Sequence, residues 1–118
     1  MERGSGKLEI AVSHTDGAKV VHLTGEFDLA GVDAFDQELK RSTRPDEATV
    51  VLDLRELSFI DSSGLRAVLM TDRDARAGGG RCLIVRGPER VNRVLELTGV
   101  EHRLELVDRF PVASAERD

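Results

Sequence analysis

The stretch Leu57-Ser58-Phe59-Ile60-Asp61-Ser62-Ser63-Gly64-Leu65 decides how this chain folds. An apolar segment, Val50-Val51-Leu52-Asp53-Leu54, precedes it, and an amphipathic one, Leu65-Arg66-Ala67-Val68-Leu69, follows at once. The order reads as strand, tight turn, helix, with a carboxylate and two hydroxyls at the turn. A helix start carries unpaired N–H groups and a partial positive charge, and both favour a phosphate. Serine is also among the best N-caps, so Ser62 or Ser63 is expected to cap this helix. A serine there can serve as a charge switch, because a phosphate adds roughly −1.5 to −2 charges at pH 7.

Working outward, Leu8, Ile10 and Val12 alternate with polar residues, the period of a half-buried strand. Asp16-Gly17 is a hairpin signal, and Lys19 to Gly25 returns antiparallel. Val32, Phe35 and Leu39 then keep helical spacing, with Asp28 in the N-cap place and Arg44-Pro45-Asp46 as the stop. Val50 to Leu54 is nearly continuous in apolar residues and suits a central strand covered on both faces. The helix that follows ends at Gly78-Gly79-Gly80, and Cys82-Leu83-Ile84-Val85 is the next strand. Pro88 fits a first helical position, and Val91, Val94, Leu95 and Thr98 form a stripe stopped by Gly99. Leu104 to Val107 is a short last strand. The order ββαβαβαβ predicts an α/β fold: a mixed sheet of about five strands, with helices packed mainly on one face. One domain spans residues 1–118, with an ordered core over 7–110 and loose termini.

Composition narrows the function. A chain of 118 residues with 40% hydrophobic and 33% charged residues suits one globular unit. A net charge of −5 argues against nucleic-acid binding by phosphate neutralisation, and with only four Phe and no Trp or Tyr there is no base-stacking platform. Met1 to Lys7 lacks the apolar core of a signal peptide, no apolar run reaches membrane-spanning length, and Cys82 has no cysteine to pair with. A cytoplasmic protein without membrane insertion is expected.

Asp61-Ser62-Ser63-Gly64-Leu65 after an apolar strand resembles the signature of bacterial anti-sigma factor antagonists, which carry the STAS domain. Leu23-Thr24-Gly25-Glu26-Phe27-Asp28 is similar to that family's second signature, and Arg86-Gly87-Pro88 through Leu97-Thr98-Gly99-Val100 to its C-terminal segment. The resemblance implies the STAS fold and a partner-switching role without catalysis. The partner is an anti-sigma factor that is itself a serine kinase and binds ATP and Mg²⁺. Binding it releases a sigma factor, phosphorylation separates the pair, and a serine phosphatase resets the switch. The protein is then a monomer or weak dimer that needs no cofactor. By the same resemblance Ser62 is the phosphorylated residue, with Asp61 and Ser63 as its neighbours and Asp28 as a nearby acidic loop residue. Gly64 and Leu65 belong to the contact surface. Arg66 stands where the family often has a small residue. In the first turn a cation opposes the helix dipole by about 0.3–1 kcal/mol, so Arg66 is expected to tune partner choice.

Other roles for STAS domains are a scaffold in a stress-signalling complex, an accessory subunit of a lipid or anion transporter, and a small-nucleotide-binding module. An esterase is disfavoured, since the G-x-S-x-G elbow is missing and the candidate bases His14, His22 and His102 are scattered. No metal-ligand spacing occurs, Cys82 reads as a buried structural thiol, and Asp72 to Arg76 reads as a solvated face with an Asp72–Arg76 pair.

Overall fold

Strand alternation and the Asp-Gly turn produce the opening hairpin. In the computed structural model, which describes residues 7–110, β1 (Leu8–Thr15) pairs antiparallel with β2 (Ala18–Phe27). Asp16 (φ 46°) and Gly17 (φ 79°) are both left-handed, the backbone that a two-residue hairpin with matching twist requires. The remaining elements are α1 (Leu29–Arg41), β3 (Thr49–Ile60), α2 (Ser62–Ala77), β4 (Arg81–Val85), α3 (Glu89–Leu97), a 3-10 turn at Val100–His102 and β5 (Glu105–Val107).

The strands lie in the order β1-β2-β3-β4-β5, and every pair after the hairpin is parallel. Each helical crossover therefore steps the same way across the sheet. Crossovers of one hand then put successive helices on one face. Phe35 of α1, Leu65 and Val68 of α2, and Val91 and Leu95 of α3 share one core cluster with Val21, Leu23, Leu52, Leu54 and Ile84 of the sheet. Burying each such side chain stabilises the fold by about 1.5–3 kcal/mol. The opposite sheet face carries a smaller cluster of Ala18, Val20, Val51, Leu83 and Val85, against which Val107 and Phe110 pack.

The strand before the serines is longer than its apolar run. β3 does not turn after Leu54 but continues to Ile60, and only Asp61 separates it from α2. Beyond Leu54 the apolar run breaks up, and two one-residue shifts change which residues face the core. Pairing moves from His22–Asp53 to Thr24–Glu56, and from Gly25–Leu57 to Glu26–Phe59. Each shift sets an extra residue in β3. Leu54, Leu57 and Ile60 thus all join the helix-side core although they lie three apart.

Smaller differences share a local cause. Pro88 caps α3 in an extended conformation (ψ 165°) rather than opening it, and the helix starts at Glu89. The last strand begins at Glu105, because Val100–His102 spends the preceding residues in a 3-10 turn. Asp72 is buried, and its carboxylate holds the Arg76 guanidinium at 3.2 Å, so the expected i,i+4 pair forms with its acidic half inside. The loose termini expected beyond residues 7–110 lie outside the described residues.

Candidate functional site

The site forms where β2 and β3 end side by side. Phe27 pairs with Ile60, so the next residue on each strand, Asp28 and Asp61, are neighbours at the carboxyl edge of the sheet. The Asp61 N–H donates to the Phe27 carbonyl at 3.2 Å and ties the two chain ends together. Each aspartate caps the helix that follows. Asp28 Oδ1 accepts from the Ala30 N–H at 3.1 Å, and Asp61 Oδ1 accepts from the N–H groups of Ser63 (2.9 Å) and Gly64 (3.1 Å). The expectation that Ser62 or Ser63 caps α2 is therefore corrected. Asp61 is the residue with extended backbone (ψ −170°), and only a residue outside the helix can turn its side chain back onto the first free N–H groups.

Ser62 becomes the first residue of α2 and is exposed. Its hydroxyl is not spent on capping. Ser63 is half-buried, and Arg66, one turn further, is exposed. Gly64 and Leu65, expected in the contact surface, are both buried in this fold. A Cβ on Gly64 would lie 2.3 Å from the Phe27 carbonyl oxygen, so the glycine is what lets α2 start this close to β2.

Two residues without an expected site role join the edge. Leu29, the first residue of α1, is 72% exposed, and Phe59, beside Ile60 on β3, is 44% exposed. For Leu29 only its place next to a cap could have signalled this. For Phe59 the signal was its position between Leu57 and Ile60, which both turn inward. Leu29 follows the capping Asp28 directly, and Phe59 lies two residues before the capping Asp61.

The sequence pattern of the STAS domain matches residues 9–113. This chain belongs to the STAS domain family. This STAS domain is 29% identical over 108 residues to BtrV of Bordetella bronchiseptica, a protein named as a candidate anti-sigma factor antagonist; the match covers 92% of this chain and 88% of BtrV. The crystal structure of an anti-sigma factor antagonist from Mycobacterium paratuberculosis superposes with a TM-score of 0.78 at 24% identity, over 95% of this chain and 96% of that one. The Bacillus cell fate determinant SpoIIAA in its phosphorylated form matches with a TM-score of 0.69 at 22% identity, over 92% and 98% of the two chains. These structures share the fold. Among the described residues of this STAS domain no helix is long and apolar enough to cross a membrane.

The helix-free face of the sheet carries a polar chain that the sequence does not announce. Ser13 Oγ lies 3.2 Å from His22 Nε2, His22 Nδ1 lies 3.0 Å from Asp53 Oδ2, and Arg55 Nε and Nη2 each donate to the Asp53 carboxylate at 2.9 Å. The order resembles a hydrolytic relay, but Arg55 already neutralises Asp53, so its charge is not reserved for the imidazole. Burial pushes the Asp53 carboxyl up. The Arg55 side chain and backbone N–H, with His22, outweigh that and hold it below the usual carboxylate range. A depressed folded value contributes stability above the unfolded pKa of about 4, and that stability is lost as pH falls through the folded value. Asp53→Asn is therefore expected to cost about 2 kcal/mol at pH 7. In urea melts the gap from wild type should close below about pH 4; a gap constant from pH 7 to pH 3 would contradict this origin.

Cys82 on β4 is buried as expected, and burial first, then Asp72, pushes its thiol up to about 12. A thiol with so little thiolate is structural rather than nucleophilic.

Proposed function

We propose that this STAS domain is an anti-sigma factor antagonist switched at Ser62. Unmodified, it binds an anti-sigma factor that is itself a serine kinase carrying ATP and Mg²⁺, and so frees a sigma factor. Phosphorylation of Ser62 ends the complex, and a serine phosphatase restores it. The domain is the substrate of that kinase and does no catalysis of its own.

One observation carries the reading. An exposed, uncommitted serine hydroxyl stands at the first position of α2, directly after the capping Asp61, at the sheet edge where the strand ending in Phe27 leads into the capping Asp28. The names of BtrV and of the Mycobacterium neighbour support the same role, and SpoIIAA supports phosphorylation in this fold. The geometry also supplies a mechanism. Asp61 already takes the N–H groups of Ser63 and Gly64, so a phosphate on Ser62 finds those two donors occupied and a carboxylate alongside. It projects toward the partner instead of folding back. A dianion placed against acidic groups in a closing interface costs several kcal/mol, and 1.4 kcal/mol is already tenfold in affinity. Dissociation then requires no refolding. Arg66, four residues on, is the near cation on the same helix, and its side chain has the reach to meet either the phosphate or an acidic partner.

The test is a pull-down from the native cytoplasm with the full chain as bait, followed by incubation of the captured protein with ATP and Mg²⁺. Recovery of one ATPase that transfers a single phosphate to this chain, mapped by mass spectrometry to Ser62, is expected. Phosphate on another residue, or recovery of transporter subunits with no kinase, would overturn the proposal.

A further inference from the structure

Beside α2, starting one turn beyond the capped edge, a cavity of about 770 Å³ opens between that helix and the segment leading into β5. Four arginines line it: Arg66, Arg73 and Arg76 from α2, and Arg103 from the turn after the 3-10 segment. Two acidic residues share the lining, and both are committed. Asp72 pairs with Arg76, and Glu105 pairs with Arg81. Arg66, Arg73 and Arg103 are exposed, and their guanidinium groups have no hydrogen-bond or ion-pair partner among the described residues. Among the other described arginines, Arg41, Arg55, Arg81, Arg86 and Arg93 are paired, whereas Arg44, Arg90 and Arg109 are single exposed residues outside this cavity. In a chain of net charge −5, three unneutralised guanidinium groups around one cavity are a local reversal of sign.

The spacing says what fits. Arg66 and Arg73 lie seven residues apart on one helix, so their backbones are about 10 Å apart along the axis. Between them the floor is apolar, made by Leu69 and Met70 of α2 with Leu104 behind. A lone phosphate or carboxylate has no apolar surface to lay against Leu69, Met70 and Leu104. An acidic amphipathic helix offers carboxylates two turns apart with apolar residues between them, which is the complementary pattern.

We propose that this cavity docks an acidic amphipathic helix of a protein partner, with carboxylates on Arg66, Arg73 and Arg103 and an apolar side chain over Leu69 and Met70. The inference does not depend on Ser62 being phosphorylated. Charge complementarity of this kind fixes register and speeds encounter, and it weakens with added salt.

The test uses the full chain, ¹⁵N-labelled, titrated with a helix-forming peptide that carries Glu at positions i and i+7 and Leu at i+3 and i+4. Saturable shifts confined to residues 66–76 and 102–105 are expected, with affinity falling as salt rises. Arg73→Glu and Arg103→Glu should each weaken binding at least about tenfold, whereas Arg90→Glu, at an exposed and unpaired arginine on α3, should leave it within twofold. All three positions are exposed, and the amide spectrum away from the substitution reports that each variant is folded. The proposal is overturned if a scrambled peptide of the same composition binds equally well. It is also overturned if Arg90→Glu weakens binding as much as Arg73→Glu, or if inorganic tripolyphosphate binds the cavity more tightly than the peptide.

Discussion

Ser62→Asp is expected to weaken binding of the anti-sigma partner by about a hundredfold, while Ser62→Ala leaves it within about threefold. Under the proposed switch the partner closes over a surface that already presents Asp28 and Asp61, and a further fixed charge has no room to keep its water. About 3 kcal/mol of repulsion and desolvation corresponds to that factor. The stability of the variants separates charge from capping. Asp61 holds the N–H groups of Ser63 and Gly64, so Ser62→Ala should change unfolding free energy by less than about 0.5 kcal/mol. Asp61→Ala should cost about 1 kcal/mol. Calorimetric titration against the captured kinase and urea denaturation measure the two effects. Equal affinity of wild type and Ser62→Asp would remove Ser62 from the interface.

Gly64→Ala should destabilise the domain by about 3 kcal/mol and abolish partner binding with it. Helix propensity alone predicts the opposite sign, since alanine is favoured over glycine by about 1 kcal/mol within a helix. The new methyl would meet the Phe27 carbonyl oxygen at 2.3 Å, Phe27 Cγ at 2.9 Å and Ile60 Cγ1 at 3.0 Å. None of these can yield cheaply. The Phe27 carbonyl also accepts from the Asp61 N–H, and the Phe27 ring is fully buried with its centroid 4.9 Å from that of Phe35. The first turn of α2 has to lift off β2 instead, which moves Asp61 and Ser62 together. Urea denaturation with a parallel binding measurement tests this. A variant more stable than wild type would mean that propensity, not contact, governs this position.

Much of this domain was legible along the chain because its signals are local. The Asp16-Gly17 turn, the stripe of Val32, Phe35 and Leu39, the stop at Gly78 and the apolar strand at Cys82 each depend on residues close in sequence. The element order, together with the rule that crossovers share one hand, then determined a five-stranded sheet with its helices on one face. The Asp61-Ser62-Ser63 turn was recognisable for the same reason, since strand, cap and helix are contiguous.

What the sequence could not decide depends on pairing between distant residues. The apolar run ended β3 at Leu54, because the two register shifts that carry the strand on to Ile60 are properties of its pairing with β2 and not of either strand. Those shifts set Phe27 opposite Ile60, and so bring Asp28 beside Asp61 and leave Leu29 and Phe59 in water. The choice of Asp61 over the serines as cap followed from backbone angles at the end of β3, and the burial of Gly64 from a carbonyl 37 positions earlier in the chain. The Ser13–His22–Asp53–Arg55 chain and the arginine cavity arise likewise where separate elements meet. Propensity and pattern act over a few residues and determined which elements form. Close packing and hydrogen-bond geometry act across the sheet, and only they decided which side chains the finished surface presents.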